Sequence, residues 1–304
     1  TPPRYQQMIQ ETGSADFAYA YSDLARFRCA VFRARGNISI VMRLIPSKIL
    51  TFDQLGLPRD SIIEVLHAHR GLVLVTGPTG SGKTTTLATM IDYINSERYV
   101  HIITIEDPLE YIHPHKKAIV THRELHVDTP SFAYALRGAL RQDPDVILVG
   151  EMRDVETMAT ALTAAETGHL ILSTLHTPSS YGAIDRFVDA FPPHQHQQVR
   201  QQLASTIQGV LYQVLIPRAD GKGVIPAVEV LIATPAIRNL IREGKTFQMP
   251  NFMHTGQDSG MQTLDQALIE LHRTGKISTE EAMSRIHSPE NFNKNNNSPA
   301  RMMR

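Results

Sequence analysis

The chain has 304 residues, and its 30 Lys and Arg balance its 30 Asp and Glu, so the formal net charge is zero. This length predicts about two domains, and the balanced charge provides no long-range attraction for nucleic acid, so we expect no nucleic-acid partner. One cysteine, Cys29, excludes an intrachain disulfide and a multi-thiolate metal site, which fits a reducing compartment.

Apolar runs such as 72–75 and 146–149 are far too short to span a membrane. The first residues, TPPRYQQ, lack the basic and apolar regions of a signal peptide. We therefore expect a cytosolic protein with no direct membrane insertion, whose membrane association would come through a partner.

The first 45 residues predict a small β-rich unit. Alternating apolar positions from Asp16 to Leu44, around the turn RARGN, favour antiparallel strands that follow a helix-like segment. If the chain turns about Arg35-Gly36, Arg28 and Arg43 lie opposite each other. Residues 46–58 contain two prolines and a glycine and predict a linker.

The remaining chain predicts an α/β fold. Apolar runs alternate with helical patterns, which favours a mainly parallel sheet covered on both faces; the runs are GLVLVTG, YVHIITIED, DVILVGE, HLILSTLHT and GVLYQVLI. Thr234-Pro235 and Gly244 predict the two ends of one helix. ALIELHRTG and STEEAMSRI predict short C-terminal helices, and the Asn-rich tail predicts disorder.

One segment matches the phosphate-loop pattern GxxxxGK[ST] between a predicted strand and a predicted helix. The nucleotide-binding candidates are Gly77, Pro78, Thr79, Gly80, Ser81, Gly82, Lys83, Thr84 and the following Thr85. Glycines let backbone N–H groups surround phosphate oxygens. Lys83 would bridge the β- and γ-phosphates of a nucleotide, and the Thr84 hydroxyl would bind Mg²⁺.

Two further strand ends carry acids. Glu151 follows the buried run 145–150, where phosphate-loop proteins place an acid that reaches the metal, although a solvated strand end would give the same pattern. Glu106, Asp107 and Glu110 follow another strand. One of these carboxylates could deprotonate an attacking water, or Asp107-Pro108 could simply form a turn.

Histidines are frequent, with 14 in the chain. His169 and His176 lie at opposite ends of one predicted strand, and a strand-end histidine near a phosphate could sense the γ-phosphate. HRELH lacks the acid beside its first histidine that the zinc-protease motif requires. We interpret the remaining clustered histidines as surface residues, namely His113, His115, His122, His126, His194 and His196, and expect no metal other than Mg²⁺.

These elements in this order resemble the secretion ATPase superfamily. They correspond to its Walker A loop, its Asp box (ITIEDPLEY), its atypical Walker B motif (ILVGEMRD) and its His box (GHLILSTLHT). The stretches ALRGALRQDPDVILVGEMRD and AIRNLIRE (236–243) resemble the PilT family of type IV pilus retraction ATPases. The resemblance extends from about Phe17 to Ile286.

The resemblance implies an α/β fold with a RecA-like P-loop motor domain, a partial N-terminal PAS-like α+β domain and short C-terminal helices. The implied boundaries are 1–45 for the partial domain, 46–58 for the linker, 59–234 for the ATPase domain, 235–288 for the helices and 289–304 for the tail. The family's N-terminal domain is larger than 45 residues, so its first half is expected to be missing here.

The resemblance also implies roles for individual residues. Glu106 would be the general base, Glu151 would help Thr84 to hold Mg²⁺, and His176 would contact the active site. The family's arginines that act across a subunit interface map onto Arg28 and Arg43, with Arg186 as a further candidate.

The implied function is ATP hydrolysis, with ATP and Mg²⁺ bound, by a homo-hexameric ring that drives pilus disassembly in twitching motility. Its expected partners are the inner-membrane platform protein and other retraction ATPases, at the cytoplasmic face of that membrane. The alternatives are an accessory PilU-like ATPase and a pilus assembly or type II secretion ATPase. Assembly motors commonly carry a four-cysteine insertion, which the single cysteine excludes.

Overall fold

The computed structural model describes residues 1–22, 24–45, 48–289 and 292. In these residues, the N-terminal part is one helix and a three-stranded antiparallel sheet: α1 (Pro3–Thr12), β1 (Ser14–Tyr21), β2 (Ala25–Ala34) and β3 (Asn37–Ile45). The predicted antiparallel strands are therefore confirmed.

The connection between β2 and β3 is a two-residue turn. Its residues, Arg35 and Gly36, have φ angles of 51° and 83°. Positive φ at both central residues marks a type I′ turn, whose twist matches that of paired strands. The resulting register places Arg28 directly opposite Arg43, as predicted.

A small apolar core joins α1 to the sheet. Tyr5 of α1 stacks on Phe17 with ring centroids 4.6 Å apart. Cys29 is buried beside them, and this burial raises the pKa of its thiol. The cysteine is thus a core residue of the N-terminal part.

The larger part of the chain, residues 48–289, is an α/β body. Its strands are β4 (Gly71–Thr76), β5 (His101–Glu106), β6 (Ile119–Glu124), β7 (Val146–Val149), β8 (Leu170–Leu175), β9 (Ile207–Pro217) and β10 (Val224–Ile232). Within the described residues they form a seven-stranded sheet in the order β10-β9-β4-β8-β7-β5-β6. Only the β9–β10 pair among these is antiparallel, which confirms the mainly parallel sheet.

Helices cover both faces of this sheet. They are α2 (Phe52–Leu55), α3 (Arg59–Leu66), α4 (Lys83–Glu97), α5 (Phe132–Ala139), α6 (Val155–Glu166), α7 (Ser180–Asp189), α8 (His196–Thr206), α9 (Pro235–Glu243), α10 (Met249–Thr255), α11 (Leu264–Arg273) and α12 (Thr279–Met283). Short 3-10 turns lie at Pro193–Gln195, Thr246–Gln248 and Gln257–Ser259. Among the helices of the described residues, none is long and apolar enough to cross a bilayer.

The apolar run of β4 explains the two-sided packing. Leu72 and Leu74 belong to the core that the sheet forms with α5 to α9, whereas Val73 and Val75 belong to the core on the side of α2 to α4. Successive residues of a strand point to opposite faces, so a strand that is apolar at every position needs cover on both. The four side chains are fully buried.

The predicted linker is partly structured. A capping box between Thr51 and Gln54 begins α2. Phe52 and Leu57 are buried in the core beneath α3 and α4, and the Thr89 hydroxyl of α4 donates to the Leu50 carbonyl at 2.9 Å. From Leu50 onward, this segment is therefore part of the α/β body rather than a free connection.

Two strands were missing from the sequence prediction, β6 and β10, and both lie at edges of the sheet. β6 has the sequence IVTHRE, without an apolar run. Among the described strands it pairs with β5 alone, so little of it needs to be apolar.

The C-terminal helices are where the sequence predicts them. Thr234 caps α9, and Gly244 ends it with a left-handed φ of 66°. The predicted inward face of Ile237, Leu240 and Ile241 is buried. The predicted disordered tail, 289–304, lies outside the described residues except for positions 289 and 292.

The polar face of α9 contains an anchored arginine. Arg238 Nη1 donates to the Ala204 and Ser205 carbonyls at 2.7 and 3.0 Å, and its Nε donates to the Ala233 carbonyl at 2.9 Å. The last carbonyls of a helix have no partner within that helix. Arg238 satisfies those of α8, so this arginine is a structural residue and not a free surface group.

We expect Arg238→Ala to lower the free energy of unfolding by about 2 kcal/mol, because carbonyl groups at the α8 terminus lose their donor. Arg242→Ala is the matched control. Arg242 is exposed on the same helix, and its Nη1 donates to the Asn239 Oδ1 at 3.4 Å. Urea unfolding of both variants measures the difference, and equal stabilities would contradict the anchoring role.

Candidate active site

The phosphate loop joins the end of β4 to the start of α4, as predicted. Lys83 Nζ donates to the carbonyls of Gly77 and Pro78, both at 2.9 Å. Lys83 is only 8% exposed, so it is a buried cation. Burial lowers its pKa, and the nearby Glu151 acts in the opposite direction.

Gln213 of β9 supports this loop from behind, and sequence analysis missed it. Its Nε2 donates to the Ser81 carbonyl at 2.6 Å, and its Oε1 accepts from the Thr86 hydroxyl at 2.7 Å. One side chain thus joins the loop to α4. Ser81 Oγ is buried and has no hydrogen-bond partner among the described residues, which leaves it available to a phosphate oxygen.

A cleft of about 570 Å³ lies beside the loop at the carboxyl ends of the parallel strands, where ligands bind in open α/β sheets. Its lining combines residues 79–85 of the loop region with charged and histidine side chains, namely Arg28, Arg43, Glu106, Asp107, Glu110, His113, Glu151, Arg153 and His176. A second cleft, of about 670 Å³, lies against α10 and α11 and contains no phosphate-loop residue.

Thr85 connects the loop region to the segment after β5. Its hydroxyl lies 3.1 Å from the Tyr111 hydroxyl, and Tyr111 is 5% exposed. The first turn of α4 and the acidic segment that contains Glu110 are therefore held together.

Glu106 ends β5 and is 6% exposed. Burial raises its pKa to about 7, a side-chain hydrogen bond from Thr104 acts in the opposite direction, and the charges of Glu110 and Glu124 add to the increase. A base with a pKa near the working pH is well matched to accept a proton. Glu106 therefore has the environment that a general base requires.

Glu151 and Asp145 lie at opposite ends of β7. Asp145 Oδ2 accepts the backbone N–H of His101 at 2.8 Å, far from the loop. The carbonyl before Glu151, that of Gly150, accepts from Thr174 Oγ1 at 2.7 Å. Glu151 is therefore the acid of this strand that reaches the cleft, where Arg153 Nε lies 2.6 Å from its Oε2.

The donor set of the cleft fits Mg²⁺. The Thr84 hydroxyl and the Glu151 carboxylate both line it, and Mg²⁺ prefers oxygen ligands and needs only one or two from the protein. In the described part of the chain, no group of three or more His, Cys, Asp or Glu could hold a metal. The cleft thus offers a few oxygen ligands and no complete protein cage.

The two histidines of β8 separate as the strand geometry requires. His176 lines the cleft, and its pKa is lowered by partial burial and by the Lys83 charge. His169 lies at the other end, where its Nδ1 is 3.0 Å from the Ala164 carbonyl. Only His176 of this pair can reach a nucleotide in the cleft.

The arginines assigned by resemblance do not all come together. Arg28 and Arg43 line the cleft of their own chain, whereas the resemblance implied a neighbouring subunit's site. Arg28 Nη1 lies 3.5 Å from Glu110 Oε1. Arg186 is exposed on α7 and is not among the residues that line the cleft.

His113 was wrongly interpreted as a surface residue. It is 3% exposed and stacks against His122, with ring centroids 5.8 Å apart. His115 and His194 are exposed, as expected. Because His122 lies in β6, a strand that was not predicted, and His113 precedes that strand, no local pattern indicated that they would pack together.

Comparison with known proteins gives relatives along most of the chain. The model of the family described as Type II/IV secretion system protein matches residues 19–223. The type IV pilus retraction ATPase PilT of Pseudomonas aeruginosa is 52% identical over 284 residues, which are 93% of this chain and 82% of that protein. The type IV pilus ATPase PilU of the same organism is 42% identical over 278 residues, 91% of this chain and 72% of that protein.

Solved structures show the same similarity. A crystal structure of the pilus retraction motor PilT with bound ADP has a TM-score of 0.88 and 48% sequence identity. The match covers 97% of this chain and 83% of that one. The α/β sheet and its phosphate loop are therefore shared with a nucleotide-binding relative.

Proposed function

The chain belongs to the Type II/IV secretion system protein family, and we propose that it is an ATP-hydrolysing motor that powers retraction of a type IV pilus. One observation carries the proposal. This chain, which is 52% identical to the PilT of Pseudomonas aeruginosa, places Lys83, Glu106 and Glu151 in one cleft with an intact phosphate loop. A nucleotide-binding scaffold without turnover would not need a buried base in that cleft.

The loop binds the phosphates of ATP. Its backbone N–H groups and the N-terminus of α4 donate to the phosphate oxygens. Lys83 exchanges the Gly77 and Pro78 carbonyls for oxygens of the β- and γ-phosphates. Thr84 and Glu151 would hold a Mg²⁺ ion, which supplies neutralising charge for the phosphates when bound.

Hydrolysis needs a base and positive charge near the γ-phosphate. Glu106 accepts a proton from the attacking water, and its pKa of about 7 makes the ionised form available near neutral pH. Arg28 and Arg43 stabilise the negative charge that develops on the γ-phosphate, and His176 contacts it. For this role, Arg28 must leave its ion pair with Glu110.

The motor acts as a homo-hexameric ring with ATP at each of its sites. In this ring, Arg186, which does not line the cleft of its own chain, would contact a neighbouring subunit. The ring would work on the inner-membrane platform protein, at the cytoplasmic face, and beside other retraction ATPases. Family membership and the match to the PilT structure support this assembly.

Two alternatives have less support. An accessory PilU-like ATPase is disfavoured because identity to the PilT exceeds identity to the PilU, 52% against 42%. A pilus assembly or type II secretion motor is disfavoured by the single cysteine, since such motors commonly carry a four-cysteine metal site.

Two measurements on the purified chain test the proposal. We expect steady-state phosphate release from ATP in the presence of Mg²⁺, together with a particle of hexamer mass in light scattering when ATP is added. Absence of phosphate release would refute the enzymatic part of the proposal. A monomer under every nucleotide condition would refute the ring.

Expression in bacteria that lack their retraction ATPases tests the cellular role. Restored twitching by this chain alone supports a principal motor. Twitching restored only beside a second retraction ATPase would identify an accessory one, and restored piliation in an assembly mutant would identify an assembly motor.

A further inference from the structure

A hydrogen-bonded pair of side chains, His122 of β6 and Thr104 of β5, lies on the candidate base's side of the sheet. β5 and β6 are parallel neighbours whose register pairs Thr104 with His122. Thr104 is fully buried, and its Oγ1 lies 2.8 Å from His122 Nδ1. Thr104 is two residues before Glu106, so both side chains are on the same face of β5.

The proton positions on His122 and Thr104 follow from one backbone contact. The peptide N–H of His113 donates to His122 Nε2 at 3.1 Å. A ring nitrogen that accepts carries no proton, so the neutral ring of His122 has its proton on Nδ1 and donates it to Thr104. The Thr104 hydroxyl hydrogen is then free to point at Glu106.

The opposite tautomer has weaker support. It would place the proton on Nε2, which is 3.4 Å from the His113 carbonyl, and Nδ1 would then accept the Thr104 hydroxyl hydrogen. The accepting contact of Nε2 is shorter, at 3.1 Å. The geometry therefore favours donation toward Glu106.

We propose that His122 and Thr104 are positioning residues for the hydrolytic reaction, which direct a hydroxyl hydrogen at the Glu106 carboxylate and so hold it ready to accept a proton. This inference rests on the proposed ATP hydrolysis. Donation to a carboxylate favours its charged form, and a side-chain hydrogen bond from Thr104 does lower the pKa of Glu106 against the larger effect of burial.

The surroundings keep His122 neutral. Burial is the main cause of its lowered pKa, the contact with the His113 backbone acts in the opposite direction, and the charges of Arg26 on β2 and of His115 lower it further. His113, which stacks on it, is itself buried, and its pKa is lowered to about 4. His122 thus stays a single-proton donor at neutral pH.

Two acidic groups on neighbouring segments, Glu110 and Glu124, influence Glu106 by their charge, while Lys83, Arg28, Arg43 and Arg153 line the same cleft. The charges of Glu110 and Glu124 raise its pKa in addition to the burial effect, whereas a hydrogen bond from the Glu110 backbone lowers it. Without the Thr104 hydroxyl, the Glu110 backbone hydrogen bond remains as an influence that favours the ionised form, and burial and the two acidic charges oppose it. Loss of the hydroxyl is therefore expected to raise the pKa of Glu106 further.

The test is the pH dependence of kcat for ATP hydrolysis by the full chain with Mg²⁺. Thr104→Val, which keeps the shape but lacks the hydroxyl, should move the acidic limb upward by about one pH unit. Thr104→Ser keeps a hydroxyl and should return the limb toward its original position. Thr121→Val is the matched control, because Thr121 lies on the opposite face of β6 and contacts His101.

Two substitutions at His122 provide an independent measurement. His122→Leu lacks the donor and should move the limb in the same direction as Thr104→Val. His122→Asn can still donate to Thr104 and should restore most of the original position. A purely structural role would reduce stability or kcat at all pH values, with the limb unmoved in each of these variants.

The outcomes separate this inference from the proposed function. If the unmodified chain does not hydrolyse ATP, the proposed function fails. If it hydrolyses ATP and the limb is the same in Thr104→Val and His122→Leu, the positioning role is refuted. An equal shift of the acidic limb of kcat in the control Thr121→Val would also refute the positioning role.

Discussion

Replacement of Lys83 by alanine should reduce ATP hydrolysis by at least about 10²-fold, because a charge aimed at the transferred phosphoryl group is lost. The buried position of Lys83 adds a structural effect, since its ammonium also holds two carbonyls of the loop. Phosphate release by purified protein measures the rate, and circular dichroism reports whether the fold persists.

Two further variants separate these effects. Lys83→Met keeps the buried stem without the ammonium and should be as inactive as the alanine variant. Lys117→Ala is the control, because Lys117 is an exposed lysine that pairs with Glu97 at 3.5 Å, away from the cleft. Hydrolysis by either Lys83 variant at the unmodified rate would show that the cleft is not the catalytic site.

Replacement of Glu106 by glutamine should slow hydrolysis by about 10²–10⁴-fold, because the amide cannot accept the proton of the attacking water. ATP should still bind, since the loop and Lys83 are unchanged. Fluorescent nucleotide binding and single-turnover hydrolysis measure the two steps. Below the pKa of about 7 the unmodified protein should also lose activity, as Glu106 becomes protonated.

Glu151→Gln is the informative comparison for that variant. It should raise the Mg²⁺ concentration needed for half-maximal rate, because a charged oxygen ligand is replaced by a neutral one. If Glu106→Gln changes the Mg²⁺ requirement and Glu151→Gln does not, the assigned roles of the two acids are reversed.

The order of strands and helices was predictable because it depends on local patterns. The apolar run of β4 followed by the phosphate loop predicts a strand, a glycine-rich turn and a helix in one short segment, and α4 begins within that motif, at Lys83. The same holds for α9, whose cap at Thr234 and end at Gly244 are visible in the sequence. The two-residue turn at Arg35-Gly36 likewise determined the pairing of Arg28 with Arg43.

The missing parts of the prediction depend on contacts between distant segments. Gln213 is more than 120 residues from the loop it supports, and no pattern near it indicates that contact. His122 is in an edge strand without an apolar run, so neither the strand nor its contact with Thr104 was visible. The anchored state of Arg238 follows from where α8 ends in space, which sequence spacing does not show.

The support of the phosphate loop by β9 also limits which substitutions the chain can accept in evolution. A Cβ at position 77 would meet the main-chain oxygen of Gln213, and no change of side chain at 213 would remove that obstacle. At position 82 the nearest atom is the Gln213 side-chain Nε2, at 2.9 Å, so a shorter residue at 213 would relieve the crowding, although the φ of 87° still favours glycine. A lineage that lost nucleotide binding would therefore still retain Gly77, whereas another residue could replace Gly82 once residue 213 had changed.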